Sequence, residues 1–177
     1  MKRFLQIAQL GNTILRETAK PIENIQSQEI QDLISDMITT LEDSGGVGLA
    51  APQINQSKRI FIISSHANKK QPNSVEMEPT AIINPEIIEY SKEVEKGWEG
   101  CLSIPGLMGN VPRYKNITVR YQDKDGNKKE EKFTGFLARV FQHENDHLDG
   151  VVYLDRLENI KDIITEKEYY KLRSKKK

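Results

Sequence analysis

The chain contains one cysteine, Cys101, among its 177 residues. A lone cysteine cannot close an internal disulfide, so a reducing compartment is the expected setting. Neither sign of charge is in excess, because 26 Lys and Arg balance 26 Asp and Glu. That balance argues against binding nucleic acid by bulk charge, and no sequence-specific nucleic-acid partner is expected. No window approaches the ~20 apolar residues that span a bilayer, so no membrane partner is expected either. The opening MKRFLQIAQLGN has its apolar positions broken by Gln6, Gln9 and Asn12 and carries no signal-peptide run. It is also too poor in Arg and Ser for a transit peptide, and a cytoplasmic location is the expectation. Histidine is scarce at three residues, so any histidine-based metal site has few candidates.

The length suits a single domain, here expected over residues 1–177. A chain of this size buries roughly 70% of its unfolded surface without help from disulfides. Helical spacing of Ile30, Leu33, Ile34, Met37, Ile38 and Leu41 predicts a helix from Ser27 to about Asp43, with Ser27 as its cap and Gly45–Gly46 as its end. Lys58–Ser64 reads as a β-branched strand. Residues 66–79 lack periodicity and read as a surface loop. Ala81–Asn84 and Ile87–Tyr90 read as strands around Pro85, followed by a longer stretch from Val94 to Ile104. Asn116–Phe133 reads as a hairpin turning at Asp125-Gly126-Asn127. From Thr134 the period becomes helical through Phe136, Leu137, Val140, Phe141, Glu144 and Leu148, until Gly150. A short helix is expected in the tail, ending in a solvated basic run. Strands followed by a late helix indicate α+β rather than alternating β-α-β.

Three segments carry chemistry. HENDH at 143–147 matches H-E-x-x-H. Residues four apart share a helix face, so His143 and His147 can aim at one metal. Glu144 lies ~100° round the helix, beside the metal and suited to act as a general base. The alternative is a polar helix with two surface histidines. The apolar residues on both sides of the motif favour a buried helix instead. A catalytic site needs a third ligand and an open position. His66 lies in the expected surface loop, so Cys101 in EGCLSIPG is the candidate; its alternative is a small buried hydrophobe. The third segment is GVGLAAPQ, residues 46–53. It matches no phosphate-binding pattern. It reads either as a tight helix-to-strand turn or as a place where glycines admit a substrate backbone, with Gln53 donating to an oxyanion.

Taken in order, GVGLAAPQ, EGCLSIPG and QHENDHLDG resemble the three signature motifs of the peptide deformylases. The resemblance spans nearly the whole chain, from Leu10 to about Leu157. It implies an α+β fold in which antiparallel sheets enclose the motif helix. It also implies a metallohydrolase that removes the formyl group from the N-terminal formyl-methionine of new polypeptides, with transient ribosome contact. By position, the family's metal ligands fall on Cys101, His143 and His147. Its catalytic Glu falls on Glu144, and its oxyanion donors fall on Gln53 and the Leu102 N–H. The ion implied is one divalent metal per chain, iron(II), with zinc, nickel or cobalt as substitutes. Some members carry an Arg about seven residues beyond the ligand Cys, where this sequence has Met108. The 66–79 segment is longer than in the shortest members.

These assignments make a mechanism. The ion lowers the pKa of water, Glu144 moves its proton, and Gln53 with Leu102 binds the oxyanion, each such donor contributing on the order of 3 kcal/mol. Substrate backbone is expected along Gly46, Val47 and Gly48. An apolar pocket for methionine is expected from Val47, Phe136 and Val140, the last two also being core candidates. Two rival readings differ in class. A zinc endopeptidase would usually take a third His or Glu ligand downstream, and no His follows His147. A non-catalytic metal-stabilised module would close its site with a fourth ligand, and none is evident.

Overall fold

The computed structural model describes residues 4–65 and 76–174. Helix α1, Gln28–Ser44, starts where the Ser27 side chain accepts from the Ile30 N–H and ends at Gly45 in the left-handed region. Strand β1 is Gly48–Ala50, and β2 is Ile60–Ser65. Every residue of β2 is buried, because the strand has helices on both faces. Ile60 and Ile62 join Ile30, Ile34, Met37 and Leu41 of α1 in one core cluster. Phe61 and Ile63 point the other way, into a cluster with Ala138, Val140, Phe141 and Leu148. The alternation follows the strand period of two, and a strand covered on both sides needs no polar positions. Each fully buried aliphatic or aromatic side chain here contributes about 1.5–3 kcal/mol.

Strand β3, Met77–Tyr90, is one 14-residue strand rather than two. Its pairing register shifts between Ile83 and Glu86, and Asn84 there has φ +50°. The bulge accommodates Pro85, which cannot donate to the ladder. Asn84 also ties down the N-terminal segment, accepting from the Ile22 N–H at 2.9 Å and donating to its carbonyl at 2.8 Å. Met77–Pro79 thus belong to a strand, contrary to the expected loop, and residues 66–75 of that loop lie outside the described residues.

The Val94–Ile104 stretch divides into β4, Val94–Cys101, and the start of β5, Ile104–Tyr114. Strand β5 was not legible because it contains Pro105, Gly106, Gly109 and Pro112. Both prolines lie outside Leu107–Gly109, the part of β5 that pairs with a second neighbour among the described residues. An open edge is where a strand tolerates proline. The expected hairpin is present as β6, Asn116–Gln122, and β7, Lys128–Thr134. Helix α2, Gly135–Leu148, follows. Soon after it, Gly150 adopts φ +72°, where a Cβ would lie 2.7 Å from the Arg16 carbonyl. Strand β8, Ile163–Thr165, leads into helix α3, Glu166–Ser174.

The strands form two antiparallel sheets, β1-β2-β3-β6-β7 and β4-β5-β8. Helix α2 touches strands of both. The architecture is the expected α+β arrangement, with sheets around the motif helix, an N-terminal helix and a short C-terminal one. Among the described residues no helix is long and apolar enough to cross a membrane.

Candidate active site

Helix α2 places His143 and His147 one turn apart, and β4 delivers Cys101 to them from the opposite sheet. One donor atom from each of the three residues lies within 4.8 Å of the others. Cys101 Sγ is 3.3 Å from His147 Nε2. His143 Nδ1 is 2.9 Å from Glu99 Oε2, which leaves its Nε2 for the cluster. His147 Nδ1 is buried with no hydrogen-bond partner among the described residues.

Gln53 sits in a short 3-10 turn, Ala51–Ile54, with Pro52 at its start. Its Oε1 accepts from the Ala50 N–H at 2.8 Å. That bond fixes the amide orientation, so Nε2 faces Cys101 Sγ at 3.4 Å and Ser103 Oγ at 3.3 Å. Leu102 occupies the turn between β4 and β5, and its carbonyl accepts from Gln9 Nε2 at 3.3 Å.

Glu144 is 4% exposed, and its Oε2 has no hydrogen-bond partner among the described residues. Burial pushes its pKa up to about 7. A Cβ at Gly48 would lie 2.2 Å from Glu144 Oε1. The glycine is required there to admit the carboxylate, a reason beyond the substrate approach expected from sequence.

A cleft of about 430 Å³ opens onto this cluster. Gly46, Val47, Gly48, Gln53, Cys101, Leu102, Phe136, Val140, His143 and Glu144 all line it. Phe136 and Val140 also pack on the core cluster, so each faces both ways. Met108 lines the cleft from β5.

The site rests on a buried ionic network that sequence reasoning missed. Arg113 grips Glu99 with two bonds, Nε to Oε1 at 3.0 Å and Nη2 to Oε2 at 3.1 Å. Its Nη1 donates to Asp146 Oδ2 at 2.6 Å. Arg139 donates to Glu99 Oε1 at 2.8 Å, and Arg156 Nη2 donates to Asp146 Oδ1 at 2.7 Å. Burial alone would raise the pKa of Glu99. The His143 hydrogen bond and the Arg113 charge outweigh it and hold the carboxyl well below its usual range. Arg139 also needs Gly97, where a Cβ would meet its guanidinium at 2.8 Å. Tyr153 stacks on His143 with centroids 6.0 Å apart. The sequence signals for this network were Glu99, which lies inside the EGCLSIPG segment, and Asp146, which lies inside HENDH; neither segment named a partner for them.

The sequence matches the family description Polypeptide deformylase over residues 4–162. The chain belongs to the polypeptide deformylase family. It is 52% identical to peptide deformylase 2 of a Nostoc species over 97% of this chain and 96% of that one. It is 40% identical to peptide deformylase 2 of Shewanella oneidensis, over 86% and 83% of the two chains. The crystal structure of a class I type b peptide deformylase from Acinetobacter baumannii, with Met-Ala-Ser bound, superposes with a TM-score of 0.86. That structure is 39% identical and covers 89% of this chain and 100% of its own. The Synechococcus elongatus enzyme, in complex with actinonin, gives a TM-score of 0.80 at 35% identity, covering 92% of this chain and 86% of its own. The activity is accordingly that of the deformylase family: metal-dependent hydrolysis that removes the N-formyl group from nascent peptides. The downstream-ligand endopeptidase and the non-catalytic module are set aside by the same findings.

Proposed function

We propose that Cys101, His143 and His147 hold one divalent ion, and that Glu144, Gln53 and the Leu102 N–H carry out deformylation around it, the chain acting as one catalytic domain over residues 1–177. The observation that carries this reading is the meeting of a thiol and two imidazoles within 4.8 Å of one another, with Cys101, His143 and the unpartnered buried carboxylate of Glu144 lining one cleft. The donor set fits the ion. One sulfur and two nitrogens suit iron(II), zinc, nickel or cobalt, and iron(II) is the native ion in this reading. Glu99 orients His143 in the way that carboxylates orient ligand histidines.

When bound, the ion supplies a Lewis acid that makes water a nucleophile near neutral pH. Glu144 accepts the proton of the attacking water and delivers it to the departing amine nitrogen as the formyl C–N bond breaks. Formate and a free N-terminus result. Burial matches Glu144 to this task, since a pKa near the working pH serves both halves of the transfer. Gln53 Nε2 and the Leu102 N–H donate to the oxyanion that develops on the formyl oxygen. Gly46, Val47 and Gly48 precede and begin the edge strand β1 and would guide the substrate backbone. Val47, Phe136 and Val140 form the apolar wall for the methionine side chain.

The partners in this reading are formyl-methionyl nascent chains met in transient contact with the ribosome, in the cytoplasm. Balanced charge and a single cysteine support that setting. The test is turnover of a formyl-Met peptide beside its acetyl-Met analogue, with metal content measured on the same sample. Formyl-specific turnover with about one ion per chain is expected. Equal turnover of both peptides, or full activity without metal, contradicts the reading.

A further inference from the structure

The cleft does not end at the metal cluster. Its outer rim is built by Glu166 and Tyr170 of α3, facing Leu107 and Met108 of β5 and Trp98 of β4. The placement is fixed by pairing. Thr165 and Ile164 of β8 lie opposite Leu107 and Met108, so Glu166 emerges directly beside the β5 wall. Tyr169 packs on Trp98 with ring centroids 5.8 Å apart and holds α3 against the cleft. The expected short tail helix thus lines the cleft through Glu166 and Tyr170.

The rim carries an unbalanced negative charge. Glu166 makes no ion pair or side-chain hydrogen bond among the described residues. Among the described residues the one cation lining the cleft, Arg139, is already engaged by Glu99 and by the carbonyls of Glu95, Gly97 and Val111. Met108 is uncharged. A peptide that leaves the metal along this cleft thus passes one free carboxylate and the faces of Trp98 and Tyr170, with no free cation lining the cleft among the described residues.

Resting on the deformylase reading above, we propose that Glu166 is a specificity-determining residue that favours substrates with Lys or Arg shortly after the formyl-methionine and disfavours Asp or Glu there. The carboxylate attracts the cation, and the aromatic faces add to its hold. Exposed pairs of this kind supply up to about a fivefold effect.

The experiment compares kcat/KM for formyl-Met peptides carrying Lys, Ala or Glu at the second and at the third position, for wild type, Glu166→Gln and Glu166→Lys. Wild type is expected to rank Lys over Ala over Glu, with roughly two- to fivefold between neighbours at one of the positions. The ranking flattens in Glu166→Gln, reverses in Glu166→Lys, and weakens in wild type at high ionic strength. The ratio is internal to each variant, so a general loss of activity does not move it. Glu166 also stands in the first turn of α3, where a carboxylate suits the helix dipole; that role alone would alter stability without any charge ranking. No ranking in wild type, or an unchanged ranking in the variants, overturns the proposal while leaving formyl-specific turnover intact. Loss of formyl specificity itself would instead overturn the deformylase reading, and this proposal with it.

Discussion

Replacing Arg113 by Ala removes the link between Glu99 of β4 and Asp146 of α2, the two halves of the proposed metal site. Arg113, Glu99 and Asp146 have side chains only 5%, 4% and 9% exposed, so solvent cannot replace the lost guanidinium. Breaking a buried ion pair by deleting one partner costs about 3–5 kcal/mol, because the other charge stays buried. Here two carboxylates lose a partner, but each keeps one, Arg139 on Glu99 and Arg156 on Asp146. That places the cost at the lower end, about 3 kcal/mol. A domain of this size holds about 5–15 kcal/mol of stability and loses roughly 2–4 °C of Tm per kcal/mol, so the variant folds and melts about 6–12 °C lower. Glu99 also orients His143, and loss of such support typically weakens metal binding 10- to 100-fold.

The acid dependence follows with a definite sign. The folded pKa of Glu99 lies below its unfolded value, so its stabilisation is present at neutral pH and is lost as pH falls toward the folded value. Arg113→Ala should therefore lose less stability on acidification than wild type. Thermal unfolding across pH and metal titration by calorimetry measure these effects. Arg113→Lys should recover only part of the loss, since an ammonium cannot grip Glu99 with two bonds. Unfolding within about 0.5 kcal/mol of wild type, the range of ordinary surface substitutions, together with unchanged metal affinity, would refute the reasoning.

Gly48→Ala should cut activity by at least tenfold, because its Cβ would stand 2.2 Å from Glu144 Oε1 and the carboxylate must move; a kinetic assay showing wild-type kcat would mean that the carboxylate is not needed where it stands. Gln53→Ala should lower kcat by roughly 10²–10³-fold with a smaller change in KM, as expected for a donor acting in the transition state; steady-state kinetics separate the two. Chelation should abolish turnover, and iron(II), nickel or cobalt should restore it; the iron form should fail fastest in peroxide, where metal or thiol is oxidised, as activity decay on each loaded form would report.

How much was legible in the sequence depends on how local each feature is. Helix α2 announced itself through its apolar spacing and HENDH, and α1 through Ser27 and the Ile30–Leu41 face, because capping and periodicity are short-range. The turn at 125–127 was equally plain. Strand β5 was hidden because its prolines and glycines look like a loop until one knows which edge is unpaired. Glu99, Arg113, Arg139 and Asp146 were hidden for a different reason: a charged residue carries no local sign of burial, and their partners lie 10 to 44 positions away. The contact of Tyr169 with Trp98 is likewise invisible without the β5–β8 pairing. Gly48 was noticed as a glycine, but its reason, the neighbouring Glu144, is set by the packing of α2 on β1.

The central claim is that Glu144 moves the proton while Cys101, His143 and His147 hold the ion, and turnover per bound metal in Glu144→Gln tests it most directly. The amide keeps the size of the side chain but cannot accept the proton of water at neutral pH. Proton-transfer groups contribute typically 10²–10⁴-fold, so turnover per metal should fall by at least 10²-fold while the variant retains about one ion per chain. A variant that turns over formyl-Met peptide normally, or one that loses its metal along with its activity, would contradict the account, the first by removing the proton carrier and the second by making Glu144 a ligand.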